Sequence, residues 1–286
     1  MSHFTVLVTG NNPEKQLEPF SENLKMVPYV ISDVTDEGKQ SFLNTYRTYD
    51  PKRTYARLTI EEVERNKLRT FEELYNEYGN DWNYNSWEIR DGEWVEISTR
   101  NPNSKWDWYV RGGRWDGFLR LNNGSCANSA YKRDVSFEAK SNDHAQKARE
   151  EYIAVQSLFP DGMIPTIEHS WESLGDVYSD VTERRNAYWS QNSVVLWAET
   201  IRNADNTLRY HKQEDFQCSI EEYVKRAYDA ANVTFAVLHE GKWYERGEMG
   251  WWTMVHNEKT DWDVEFNNLI KGLPDHTLLT VFDCHI

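Results

Sequence analysis

The stretch LLTVFDCHI, Leu278–Ile286, decides the fold. It is short, apolar and β-branched, the signature of a strand. The opposite end of the chain carries a match, HFTVLV from His3 to Val8, closed by Gly10-Asn11-Asn12-Pro13. Two such strands are expected to lie side by side in one sheet, so that both termini build a single unit.

Outward from these strands, helical and extended patterns alternate irregularly. Lys25–Ile31 reads as a strand and Thr35–Tyr46 as a helix, with Phe42, Leu43 and Tyr46 on one side. Thr59 with Glu62, and Thr70 with Glu73, are capping boxes, each placing a carboxylate three residues after a hydroxyl. The second opens a helix presenting Phe71, Leu74, Tyr75 and Tyr78, which stops at Gly79. Three strands are expected next, at Glu93–Thr99, Trp108–Arg111 and Trp115–Leu121, with hairpin turns at Asp91-Gly92 and Gly112-Gly113.

Residues 139–159 return to helix, with Ala145, Ala148, Tyr152, Val155 and Phe159 on one face. Ser173–Trp189 reads as helix and Val194–Ile201 as strand. Ser219 and Glu222 open a further helix, and Val233–Leu238 turns at Glu240-Gly241 into Lys242–Glu245. Thr260 is expected to cap a helix that ends at Gly272 and Pro274.

This irregular order gives an α+β class rather than a doubly wound sheet. The expected architecture is a mixed or antiparallel sheet with its first and last strands adjacent. Helices pack on it, and a Trp-rich β-hairpin is inserted. Residues 1–286 then form one α+β unit with an inserted subdomain at about 80–215.

Composition narrows the classes. Aromatic residues make up 14% of the chain, including 13 Trp, against 39% hydrophobic overall. Large rings bury ~150–250 Å² each, which supplies a core and excludes a disordered chain. Cys126, Cys218 and Cys284 are far apart and odd in number, which argues against a disulfide framework and a four-cysteine zinc site. The first residues lack the basic and apolar regions of a signal peptide, and no apolar stretch approaches the ~18 residues that span a bilayer. A cytoplasmic protein away from membranes is expected. The net charge of −15 opposes binding along a nucleic-acid backbone and suits docking on a basic partner.

No phosphate-binding loop, dinucleotide fingerprint, zinc-protease motif or nucleophile elbow is present. The most distinctive segment is KWDWYVRGGRWDGF, Lys105–Phe118. From Arg100 to Arg133 there are seven basic and two acidic residues, inside an acidic chain. Lys105, Arg111 and Arg114 would hold a phosphate and Trp108 or Trp115 would stack a base, with Asp107 or Asp116 as general base or metal ligand. The plain alternative is a hairpin whose Trp rings fill the core under Arg stems.

A second constellation is His3, Asp283 and His285, two imidazoles and a carboxylate that would suit a metal. Against it stands an ordinary strand end. The segment Arg246–Trp252 carries adjacent tryptophans, so Trp251 or Trp252 would be an exposed interface anchor or part of a loop over the core. Residues 61–96 hold eleven acidic and four basic residues. Glu61, Glu62 and Glu64 there would form a docking face for a basic partner or a solvated helix face.

Five segments together resemble a family of phage and prophage proteins: Met1–Val8, Lys105–Tyr109, Gly112–Trp115, Gly247–Trp252 and Leu278–Ile286. Position 282 is Phe where that family's pattern has a small aliphatic residue, and Leu121–Arg133 is a short version of its segment. The resemblance covers both ends and the middle, and it identifies a family rather than an activity. It implies an acidic accessory protein of the host cytoplasm that counters host immunity. A Gabija-type anti-defence protein, which binds and blocks a host nuclease complex, is similar in size and setting.

The expected function is therefore inhibition of a host antiviral defence complex by direct docking, without catalysis or a cofactor, with or without homo-oligomer formation. The alternative is a nucleotide- or small-ligand-binding protein or enzyme built on Lys105–Arg114.

Overall fold

The computed structural model describes residues 2–53, 57–79, 85–204, 208, 211–250 and 254–286. The strands in chain order are β1 (His3–Thr9), β2 (Tyr29–Asp33), β3 (Asn85–Arg90), β4 (Glu93–Ser98), β5 (Trp108–Arg111), β6 (Leu119–Arg120), β7 (Cys126–Ala127), β8 (Ser129–Tyr131), β9 (Ala236–His239), β10 (Lys242–Glu245), β11 (Glu248–Met249), β12 (Val255–His256) and β13 (Leu278–His285). The helices are α1 (Pro13–Leu17), α2 (Asp36–Arg47), α3 (Ile60–Lys67), α4 (Phe71–Tyr78), α5 (Phe137–Ser157), α6 (Trp171–Gly175), α7 (Val181–Trp189), α8 (Asn192–Arg202), α9 (Ile220–Ala230) and α10 (Trp262–Gly272). The chain is an α+β fold of two compact units, one built from 14–109 with 284–286, the other from 2–13 with 110–283.

In the first unit, β2, β4 and β3 form an antiparallel sheet in that order. Asp91 and Gly92 turn β3 into β4 with positive φ at both residues (53° and 90°), the conformation a two-residue hairpin needs. Helices α2 and α4 bring Phe42, Tyr46, Leu74 and Tyr75 together, and Phe71, Tyr78, Trp87 and Trp94 pack against them. Tyr75 stacks on Trp87 at 5.5 Å and 7°. Trp87 and Trp94 of this hairpin pack into that aromatic core. Gly79 ends α4 because a Cβ there would sit 2.3 Å from the Tyr75 ring. Both expected capping boxes form, Thr59 with Glu62 and Thr70 with Glu73.

In the second unit, the main sheet runs β10-β9-β1-β13 and ends on residues 110–111 of β5, while β8 also pairs with β13. First and last strands are adjacent, as their matching composition requires. β1 is parallel to β9 through Val6↔Ala236, and β8 is antiparallel to β13 through Ala130↔Leu279. The sheet is therefore mixed. Leu7, Val237, Leu279 and Val281 from it meet Trp262, Phe266 and Ile270 of α10 in the main core. Tyr152 and Val155 of α5, with Phe159 just past its end, build a separate core with Trp197 and Ile201 of α8 and with Phe216.

Several local expectations change. Val194–Ile201 is helix, not strand, because Val194, Trp197 and Ile201 fall on one buried face at helical spacing. Gly112-Gly113 does not turn a hairpin. Gly113–Trp115 is a single 3-10 turn, and only Leu119–Arg120 of the expected third strand is extended, pairing with β7. Ser173–Trp189 divides into α6 and α7, with Asp180 capping the second. Asp261, not Thr260, stands at the N-terminus of α10. The strand expected from Lys25 begins at Tyr29, directly after Pro28.

Candidate functional site

The double glycine of the basic-aromatic segment is a clamp around one carboxylate. Gly112 and Gly113 both have positive φ (75° and 54°), which side chains rarely adopt. Gly112 N–H donates to Val281 O at 2.9 Å, fixing the turn to β13. A Cβ on Gly113 would lie 2.5 Å from the Asp283 carboxylate, and one on Gly112 would strike Asn128. That close approach lets Arg114 N–H donate to Asp283 Oδ2 at 3.0 Å. His3 Nδ1 lies 2.8 Å from Oδ1 of the same carboxylate. Asn128 holds the rest of the loop, accepting from Gly117 N–H and donating to Asp116.

Side chains around this clamp divide by exposure. Trp115 is partly buried and packs against the main core. Arg111 and Arg114 are exposed. The Arg114 guanidinium has no ion-pair partner among the described residues.

In the first unit, Trp106 is buried and donates its Nε1–H to Leu17 O at 3.2 Å, with Tyr109 edge-on to its ring. Lys105 is half-buried and Trp108 is exposed. His285 Nδ1 lies 2.7 Å from Asp107 Oδ1, and Asp107 N–H donates to His285 O at 3.0 Å. Asp107 is thereby engaged with an imidazole. Two close carboxylate–imidazole pairs stand among the described residues, His3–Asp283 in the second unit and Asp107–His285 in the first, with a looser one, His211–Glu151, at 3.7 Å in the second. Among the described residues no group of three or more His, Cys, Asp or Glu is arranged to hold a metal ion. Asp283 is instead satisfied by His3 and a backbone N–H, which a buried carboxylate needs.

The expected acidic face on α3 is largely engaged within its own helix region. Glu62 accepts from the Thr59 N–H and hydroxyl, and these bonds hold its carboxyl below the usual range. Glu64 pairs with Lys67 at 2.5 Å, and Arg65 and Arg69 both reach Glu77. Glu61 alone of the three is exposed without an ion-pair partner among the described residues. Trp251 and Trp252 lie outside the described residues.

A different surface emerges on β2 and the segment leading into it. Leu24, Met26, Val27, Val30 and Ile31 are all exposed, Val27 to 84%. Among the described strands β2 pairs only with β4, so its other edge is open. Residues 22–37 carry four carboxylates and one lysine, and Asp33 and Glu37 have no ion-pair partner among the described residues. Pro28 inside this apolar run was the available signal, since proline in a strand pattern marks an edge.

Two clefts of about 470 and 640 Å³ open in the second unit. The first is lined by His169, Tyr178, Ser190 and Gln191 among others, and the second by Thr234, Arg246, Lys259 and Trp262 among others. Arg246 is bound by Glu258 and Lys259 by Glu265, which neutralises both cations of the second. No helix of the described residues is long and apolar enough to cross a membrane. No protein family, curated protein or solved structure matches this chain.

Proposed function

We propose that the chain is a phage-encoded acidic docking protein that blocks a host antiviral complex of the nuclease type, with Leu24–Ile31 as its apolar contact. The observation that carries this is Leu24–Ile31, where three exposed apolar side chains precede β2 and two lie on it, beside a strand that pairs with β4 alone among the described strands. Contiguous exposed apolar surface rimmed by charge marks protein interaction sites. An open edge also offers unpaired N–H and C=O groups to a partner strand. The carboxylates steer the surface to a basic face such as a nuclease presents to its substrate. Formal charge is spread over both units, with thirteen basic against nineteen acidic residues in the first. A local acidic rim on β2 is thus backed by an acidic whole. The phage setting and the class of target rest on the resemblance described above.

Plaque formation tests it. A defence-sensitive phage is plated on bacteria carrying a nuclease-type defence system, with and without this chain. Restored plaques are expected, and no restoration on any nuclease-type system contradicts the proposal.

A further inference from the structure

One cleft of the second unit is used by nothing above. The cavity of about 470 Å³ bordered by α6, α7 and the start of α8 has the size of a small-molecule site. It is reachable from solvent, since Glu168, Val177 and Asn192 of its lining are exposed. Gln191, only 8% exposed, fixes one wall. Its Oε1 accepts from the Glu168 and His169 N–H groups at 3.1 and 2.8 Å, and its Nε2 donates to the carbonyls of His169 and Tyr188. One buried amide thus fastens residues 168–169 to the junction of α7 and α8, and the wall is set before a ligand arrives. Leu174, Val177 and Ala187 supply the apolar lining. The hydroxyls of the lining have spent their protons. Ser173 Oγ–H donates to Ser170 O at 3.0 Å and Ser190 Oγ–H to Ala187 O at 2.8 Å, so each hydroxyl has only acceptor lone pairs left for a ligand. The Glu168 carboxylate has no ion-pair partner among the described residues. No lysine or arginine lines the cleft, and residues 168–183 hold five carboxylates and neither of those bases. Arg184, the next cation along the chain, is turned to the carbonyl and ring of Trp171. The C-terminal ends of α6 and α7, where helix dipoles favour cations, also border the cleft.

We propose that this cleft binds a small aliphatic amine, its ammonium held by Glu168 and the hydroxyl oxygens and its chain laid along Leu174, Val177 and Ala187. A primary ammonium offers three N–H donors and no acceptor, which complements a lining rich in spare acceptors. Each methylene removed from water against the apolar lining tightens binding about fourfold. The carboxylates of residues 168–183 raise the local concentration of the cation. The start of α8 also borders the cleft and favours an anion instead, so a carboxylate of the same chain length is the decisive comparison. The site lies in the second unit and is independent of the docking surface proposed on the first.

Titration of the intact protein with ethylamine, butylamine, hexylamine and hexanoate at one fixed ionic strength tests this, read by NMR at the methyl groups of Leu174, Val177 and Ala187. The amines are expected to shift these methyls, with affinity rising about fourfold for each added methylene that reaches the lining. Hexanoate is expected to leave them in place. Glu168→Gln, a change at an exposed side chain, should weaken hexylamine about tenfold, the worth of a charge-assisted hydrogen bond. Ala187→Leu, which fills the apolar lining, should weaken hexylamine more than ethylamine. Equal affinity for ethylamine and hexylamine would reveal only diffuse attraction to an acidic chain and would overturn the proposal. So would methyls that no amine shifts, hexanoate binding as tightly as hexylamine, or unchanged hexylamine affinity in Glu168→Gln.

Discussion

Asp283 and His3, from the last and first strands of the chain, meet at 2.8 Å with their side chains only 3% and 16% exposed. The other oxygen of the carboxylate takes the Arg114 N–H. One side chain thus ties the two terminal strands to the glycine turn of the basic-aromatic segment. Removing the carboxylate leaves the Arg114 N–H and the His3 imidazole without their partner, which costs ~1–3 kcal/mol for each buried group left unsatisfied. Asp283→Ala should lose stability on that scale in urea unfolding. Gly113→Ala should be comparably damaging, because its Cβ would overlap Asp283 and its φ is positive. A Gly113→Ala protein with an unchanged urea midpoint would refute the clamp.

Lys140 of α5, whose covered Nζ stands 3.0 Å from the centroid of the Phe118 ring with no hydrogen-bond partner among the described residues, makes stability depend on pH in the alkaline range. Its folded value is about 7 against an ordinary 10.5, so between those values the unfolded chain binds a proton that the folded chain does not. Stability from this group therefore rises with pH across that window. Lys140→Met should stabilise the fold by about 1–3 kcal/mol at pH 7, the usual cost of an uncompensated buried polar group. The advantage should shrink toward pH 10. Paired thermal melts across pH 6–10 check both points, and a constant difference would contradict them.

The capping box of α4 makes an acid-side prediction. Thr70 hydrogen bonds hold the Glu73 carboxyl below its ordinary value. Its contribution is present above the unfolded value of 4.5 and is lost as pH falls through the lower folded value. Thr70→Ala should cost about 1 kcal/mol near neutrality. The gap between variant and wild type should narrow below pH 4, as followed by helical circular dichroism on heating.

Gly79 tests the aromatic core of the first unit. Its φ is ordinary for a helix end, so only the space beside Tyr75 excludes a side chain. Gly79→Ala should displace the Tyr75–Trp87 stack at a cost of about 1–3 kcal/mol. A blue-shifted Trp fluorescence with full stability would contradict this; a red shift with lower stability is expected.

The parts of the fold legible in sequence are those fixed by local chemistry. The matched terminal strands, the capping boxes at Thr59 and Thr70, and the Asp91-Gly92 turn each depend on a few adjacent residues. The turns at Gly112 and Gly113 misled because the reason for two glycines lies at Asp283 and Asn128, far along the chain. Val194–Ile201 misled because a dense apolar run reads equally as a buried strand, and only the spacing of Val194, Trp197 and Ile201 separates the two. Of the expected docking residues, Glu62 bonds to its own cap at Thr59 and Glu64 pairs with Lys67, local contacts that the capping-box and helix spacing of the sequence already contain. Lys140 carries no local sign at all, since its environment is made by Phe118 and Cys126 from elsewhere in the chain.

The most direct test of the docking account is co-purification from a bacterial host carrying several defence systems, comparing wild type, Val27→Glu and Glu64→Lys. The account predicts that wild type and Glu64→Lys each retain the same host defence protein in stoichiometric amount, released by salt, and that Val27→Glu retains none. Equal retention by Val27→Glu, or a wild-type protein that purifies alone, would contradict it.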